Sequence, residues 1–209
     1  MMMTIKEIDE KITHYQSEIA MCADDLKVYN ALLGKKISSK KKHEVEQRKM
    51  TTEFFSFVTT SYIDLLSSYK NFKRSKLDWE KFFNLKISYL IIYETINTYH
   101  QFKKELFFSV NQEKKEEFQN FFRMLNDELT EFKEKYDYDR IMPKIRNKST
   151  AHYDKNFLVY YNSYELLEPV NGKEIIRDFL YFINPLHYFI YAMIEGEVDM
   201  ILFVNSWFS

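Results

Sequence analysis

Glycine and proline are scarce, with three of each in 209 residues. A many-stranded sandwich or barrel needs a turn signal about every ten residues, so this supply excludes one and leaves helices as the expected element. Cysteine is scarcer still. Cys22 alone rules out an intramolecular disulfide and any multi-cysteine metal site. It suits a reducing compartment and a role as a small apolar core residue. Net charge is also lacking: 30 basic against 31 acidic residues leave −1, so the molecule as a whole does not attract polyanions and any nucleic-acid contact must be local. No membrane span is expected. Phe179 to Ile194 carry no formal charge, but that stretch is shorter than the ~20 residues a bilayer needs, and Asn184, Pro185 and His187 interrupt it. It reads as a buried, kinked helix. The opening "MMMTIKEIDEKI" puts charges where a signal peptide needs apolar residues, so the expected location is cytoplasmic. Asn147-Lys148-Ser149 has the spacing of a glycosylation acceptor, a match expected to be coincidence because no secretory signal is expected.

What is abundant is apolar and aromatic surface, 45% and 18% of the residues, beside 29% charged. That is enough for one well-buried core, and nothing in the punctuation argues for two domains. The expected architecture is a single all-α domain over 1–209, a helical bundle with a long heptad-patterned helix at its N-terminus. Thr4 and Glu7 have capping-box spacing, and Ile5, Ile8, Ile12, Tyr15, Ile19, Cys22, Leu26, Tyr29 and Leu33 then alternate by three and four. This predicts an amphipathic helix over 4–34, with Gly34 at a left-handed C-terminal cap. Its seam is an efficient docking surface for another helix. A lysine-rich linker over 35–42 leads into the bundle proper, 43–209. The lysines read as a solvated loop, with a phosphate-binding patch as the alternative.

Within the bundle, a second helix is predicted over 43–72. Ser75 is placed to cap a third, whose stripe is Phe82, Leu85, Tyr89, Ile92, Ile96, Tyr99 and Leu106. Bulky residues on its other faces, Phe83, Ile87, Leu90 and Ile91, make it the expected central helix. A fourth helix after "SVNQ" shows Phe118, Phe122, Leu125, Leu129, Phe132 and Tyr136 with charges opposite, the pattern of a surface helix. "YDYDRIMP" breaks the periodicity, and Pro143 suits the first turn of a short helix. The segment 156–172 is the least helical, a connection or weak strand pair closed by a turn at Pro169 to Gly172. A last long helix from near Lys173 aligns Ile176, Leu180, Ile183, His187, Ile190 and Ile194, bent before Pro185. The tail "DMILFVNSWFS" suggests a final short helix.

Directly after the short helix comes "MPKIRNKSTAHYDKN", which sets Arg146, Asn147 and His152 within a run of small and basic residues. Arginine, a polar residue and then a histidine after five intervening positions resembles the hallmark of the HEPN superfamily (higher eukaryotes and prokaryotes nucleotide-binding). "RNKSTAHYDK" is similar to runs in its small bacterial, abortive-infection-like members. The likeness covers about 76–195, and the N-terminal helix and lysine linker look like additions. It implies an all-helical HEPN-like bundle, a homodimer whose two motifs meet in a cleft, and RNA as substrate. In the superfamily's ribonucleases the matching positions are Arg146, Asn147 and His152.

The residue types suit that chemistry. Cleaving RNA without a metal needs one group to take the 2′-hydroxyl proton and a cation to stabilise charge gathering on the phosphorus oxygens, tasks for His152 and Arg146 near neutral pH. Arg146 offers a planar fork to a phosphate, Lys144 and Lys148 supplement it as point charges in substrate binding, and Asn147 can orient the phosphate or the imidazole. Six positions on an ideal helix mean about 120° of rotation and ~9 Å of rise, so Arg146 and His152 do not converge by themselves. Either the backbone breaks, which Ser149-Thr150 permit, or a second chain completes the site.

The expectation is therefore a metal-independent endoribonuclease of a toxin-antitoxin or phage-defence type, with no cofactor, an antitoxin or nucleotidyltransferase as partner, and 2′,3′-cyclic phosphate products. The alternative is a non-catalytic module of the same shape for dimerisation or for binding a nucleotide or partner protein, supported by the N-terminal seam. A structural role is also open for the motif itself, with Arg146 paired to an acid such as Asp139 and His152 bonded to a carbonyl or to Asp154. His187, on an apolar stripe, is expected to be a satisfied core histidine. His14, His43 and His100 lack ligand spacing, and no HExxH, phosphate loop or dinucleotide fingerprint occurs, so no metal site is expected.

Overall fold

A computed structural model of the chain describes residues 3–113, 116–147, 158, 161, 167 and 169–195. Its long elements are α1 (Ile5–Leu33), α2 (Ser39–Arg74), α3 (Asp78–Glu113), α4 (Glu116–Lys135), α5 (Tyr138–Ile145) and α6 (Pro169–Glu195), and no strand occurs among the described residues. The protein is an all-α helical bundle, as its lack of turn residues predicts. The tail after 195, with its expected final helix, lies outside the described residues.

The capping box of α1 forms in full: the Glu7 amide donates to Thr4 Oγ1 at 3.2 Å, and the Glu7 carboxylate accepts from the Thr4 amide. Gly34 closes the helix differently from expectation, with φ −74° rather than a left-handed value. Its N–H and that of Lys35 turn back to Asn30 and Leu32 carbonyls, so a tightened last turn does the work of the cap. The seam of α1 packs on α2, burying Ile8 and Cys22 and setting Ile12 and Tyr15 against the core. The face that looked like a docking surface is thus consumed within the chain. Lys70 of α2 pairs with Asp9, and Lys73 Nζ donates to the Met3 carbonyl at 2.6 Å.

The linker is shorter than the expected 35–42. Ser38 caps α2, accepting from the Lys41 amide at 3.4 Å, so Lys40 to Lys42 form the first helical turn and remain exposed. Ser75 ends α2 instead of beginning α3: its amide bonds to the Asn71 carbonyl at 2.9 Å, and its hydroxyl donates to the same carbonyl at 2.8 Å. The start of α3 is capped by Glu80, whose Oε2 accepts from the Lys76 and Leu77 amides at 3.1 and 3.3 Å. α3 then runs straight through "SVNQ", because Val110 continues the stripe one turn beyond Leu106 and both are buried.

α3 touches α2, α4, α5 and α6, yet it is not buried all round: Phe83 is 54% exposed. α6 is the more completely buried element, with Ile175, Ile176, Phe179, Phe182, Leu186 and Phe189 all in the core. It starts at Pro169, not near Lys173, and the predicted turn at 169–172 is its first turn. Pro169 suits that position because the missing N–H would have no helical partner there. Pro185 lies inside the same continuous helix. Phe118, Phe122, Leu125, Leu129 and Phe132 face inward from α4, as the stripe predicts for a helix lying on the surface of the bundle.

Candidate functional site

α5 positions the candidate arginine. Asp137 precedes it at φ 47°, a left-handed conformation that aspartate tolerates, and this reverses the chain after α4. Tyr138, Met142 and Ile145 are buried at i, i+4 and i+7, and they lock the short helix against α3 and α4. Pro143 falls in the second turn rather than the first, in a helix that ends two residues later. The Tyr138 ring stacks on Tyr93 of α3 at 6.2 Å and its hydroxyl donates to the Tyr93 carbonyl at 3.4 Å. Burial pushes the Tyr138 phenol far above its usual range, so it is a neutral structural anchor.

Arg146 follows as the C-cap, its amide bonded to the Met142 and Pro143 carbonyls, and the backbone at Arg146–Asn147 widens into a π-type turn. Such turns occur often at functional sites. The guanidinium lies over the Tyr93 ring at 5.9 Å, its Nε is 3.4 Å from Glu94 Oε1, and Nη1 donates to Asn147 Oδ1 at 3.2 Å. The acid beside Arg146 is therefore Glu94, while Asp139 pairs with Lys133 at 3.0 Å. The Arg146 side chain remains 39% exposed and that of Glu94 50% exposed. A solvent-screened contact through one nitrogen is worth at most about 1 kcal/mol, small against a charge-assisted, two-pronged bond to a phosphate.

Of the residues singled out in the sequence, Arg146 and Asn147 are in contact, and both they and Lys144 lie at the surface end of α5. His152 and Lys148 lie outside the described residues, as do Ser149, Thr150 and Asp154. Residues that sequence reasoning missed are Tyr93 and Glu94, which hold the arginine from α3. Further along α3, exposed His100 shares the electrostatic neighbourhood of Lys133 and Asp139. Partial burial and the cations Lys133 and Lys103 lower its pKa, which favours the neutral imidazole. Only the helical spacing of Tyr93 and His100, seven positions apart on one face, hints at this surface in the sequence.

A second cluster joins α1, α2 and α6. His187 is largely buried and lies 3.0 Å from Thr59 Oγ1, with Phe55 and Tyr15 against its ring at 4.5 and 5.0 Å. It is a core histidine with a hydrogen-bond partner, as expected. Among the described residues, no group of three or more His, Cys, Asp or Glu side chains is arranged to hold a metal ion, and no helix is long and apolar enough to cross a membrane.

Comparison with known proteins adds no relative: no family model, curated protein or solved structure matches this chain. The fold and site define an all-helical bundle that presents an arginine and an asparagine at the end of a short, well-anchored helix.

Proposed function

We propose that the protein is a HEPN-like, metal-independent endoribonuclease of a toxin-antitoxin or phage-defence type. The observation that carries this reading is Arg146: α5 fixes its backbone, Tyr93 supports its guanidinium, and its side chain is 39% exposed at the end of the helix, next to Asn147. In this scheme His152 accepts the 2′-hydroxyl proton as that oxygen attacks phosphorus. The bond from phosphorus to the 5′-oxygen breaks, and the leaving oxygen takes a proton. Arg146 neutralises charge on the non-bridging oxygens, with Asn147 orienting the phosphate and Lys144 and Lys148 drawing in the strand. The products are a 2′,3′-cyclic phosphate and a 5′-hydroxyl. A homodimer that pairs two copies of the motif, and an antitoxin or nucleotidyltransferase partner, complete the proposal.

The test is RNA cleavage by purified protein in excess EDTA, beside Arg146→Ala and His152→Ala variants with unchanged circular dichroism. Cleavage by wild type alone, with cyclic phosphate ends, is the expected result. Absence of cleavage across total RNA and tRNA overturns it in favour of a non-catalytic binding module. One observation favours that second reading: Trp79 and Phe83, one turn apart on α3, are 56% and 54% exposed, an apolar surface suited to a protein partner.

A further inference from the structure

A cavity of about 230 Å³ opens between α1 and α6, and none of its lining residues comes from α3, α4 or α5. α1 supplies Lys11, His14, Tyr15 and Glu18, spaced by three and four along one face, and α6 supplies His187 and three neighbours including Tyr188 and Tyr191. The unusual group is Glu18. Its Oε1 lies 3.2 Å from His14 Nε2, but its Oε2 is shielded from solvent and receives no hydrogen bond from the described residues. A buried acceptor left without a donor is destabilising, and more so when the group is charged.

His187 does not fill that need. The Thr59 hydroxyl donates its one proton to the Phe55 carbonyl at 2.8 Å, so in the contact with His187 the hydroxyl must accept and Nε2 must carry the proton. That N–H is directed to Thr59, and Nε2 is 3.7 Å from Glu18 Oε2, beyond hydrogen-bond range. At the other end of the face stands Lys11, half-buried, with no carboxylate among the described residues within ion-pair distance; Glu7 is the acid that acts on it from further away. Burial lowers the lysine pKa and raises that of Glu18, the signature of two charges held short of partners.

The cavity therefore offers a carboxylate with one oxygen lacking a donor, an ammonium that lacks an anion, and tyrosine walls between them. Seven positions along α1 separate the two charges by ~10.5 Å of rise, and the flexible lysine stem can shorten that gap. A plain amine would leave Lys11 facing another cation, and a plain acid would face Glu18. A molecule carrying both charges satisfies both. The volume is below the ~300–1,000 Å³ typical of drug-sized ligands, which suits a small metabolite.

We propose that this cavity binds a free α-amino acid, its ammonium on the Glu18 carboxylate, its carboxylate toward Lys11 and its side chain against Tyr15, Tyr188 and Tyr191. The experiment is calorimetric titration and thermal shift of the full chain at pH 7 with each standard L-amino acid, beside n-butylamine and butyrate as single-charge controls. The expected result is binding and a raised melting temperature with at least one amino acid, neither with the controls, and a loss of about tenfold or more in affinity in Glu18→Gln and Lys11→Met. Tyr191→Ala, at the half-exposed lip, tests the wall with a change that leaves the core intact and is expected to weaken the same ligand. The proposal is overturned by no binding of any amino acid up to about 20 mM, by affinity unchanged in all three variants, or by n-butylamine binding as tightly. RNA cleavage is not the readout, so either result stands independently of the role of Arg146.

Discussion

His187 donates its Nε2 proton to Thr59 Oγ1 across 3.0 Å, pinning α6 to α2 beneath the α1 helix. Burial lowers the imidazole pKa from the usual 6.5 to about 4, and the nearby His14 and Lys11 push in the same direction. The folded state therefore binds fewer protons than the unfolded chain between pH 6.5 and about 4. Stability from this group is present above pH 6.5 and falls as pH drops through that window, by at most about 3 kcal/mol. Also beside the ring are Glu18 and Tyr15, the latter packed in turn on Tyr62. The tyrosines stay neutral throughout, whereas Glu18, with its pKa raised by burial, is better tolerated when protonated and opposes the trend. Urea unfolding from pH 7 to pH 4 should show the loss in wild type and a flatter profile in His187→Gln, whose amide can still donate to Thr59.

Gly172 supplies a second prediction. A Cβ at this position would stand 2.4 Å from Leu85 Cδ2 and 3.0 Å from Cδ1, and Leu85 is fully buried. The glycine is there so that α6 can approach α3. Gly172→Ala gains roughly 1 kcal/mol of helix propensity but overpacks the contact at a cost of about 1–3 kcal/mol. Net destabilisation is expected in denaturant melts. Combining it with Leu85→Ala should be less harmful than the sum of the two single changes, a coupling that a double-mutant cycle reads directly.

This contact also illustrates what a sequence conceals. The capping box of Thr4 and Glu7 was legible because both partners lie within one turn, and the α4 stripe because its period alone specifies the buried face. Gly172 beside Pro169 looks like a turn, and only the Leu85 side chain on a distant helix gives it a different purpose. Ser75 was assigned to the wrong helix because a serine between two helices can bond to either; the Asn71 carbonyl and Glu80 decide the matter. His187 could be recognised as a core histidine from its apolar stripe, but its partner Thr59 could not. The arginine of the motif was visible, yet its neighbour Glu94 lies 52 positions earlier, and no local pattern links them.

Asp178 ties α6 to the end of α4. It accepts from Lys135 Nζ and the Tyr136 hydroxyl, both at 2.6 Å, and from Arg177 at 2.8 Å. Burial favours the neutral acid, but the three hydrogen bonds outweigh it and hold the carboxyl below its usual range. A lowered carboxyl pKa means stability that is present above the unfolded value near 3.8 and is lost as pH falls through the folded one. Asp178→Asn is expected to cost about 1–3 kcal/mol at pH 7, because Lys135 and Tyr136 lose a charged acceptor. The difference from wild type should shrink as pH falls below 3.8 and disappear once the folded carboxyl is itself protonated; chemical melts at pH 7 and at successive steps below pH 3.8 provide the comparison.

Glu94 and an RNA phosphate would compete for Arg146. Glu94 touches the guanidinium through one nitrogen at 3.4 Å, with both side chains substantially in water, so the pair adds little to folding. Glu94→Gln should therefore change stability by less than about 0.5 kcal/mol. A strand of RNA approaching Arg146 meets the same carboxylate as a repelling charge. Removing it should tighten RNA binding severalfold at low salt, with the advantage shrinking as salt screens it. Arg146→Ala should weaken binding and reduce its salt dependence. Fluorescence anisotropy with a labelled single-stranded RNA at two salt concentrations separates these effects. If Glu94→Gln leaves RNA affinity unchanged while the fold is intact, the phosphate does not bind at Arg146, and the α5 end is not the RNA site.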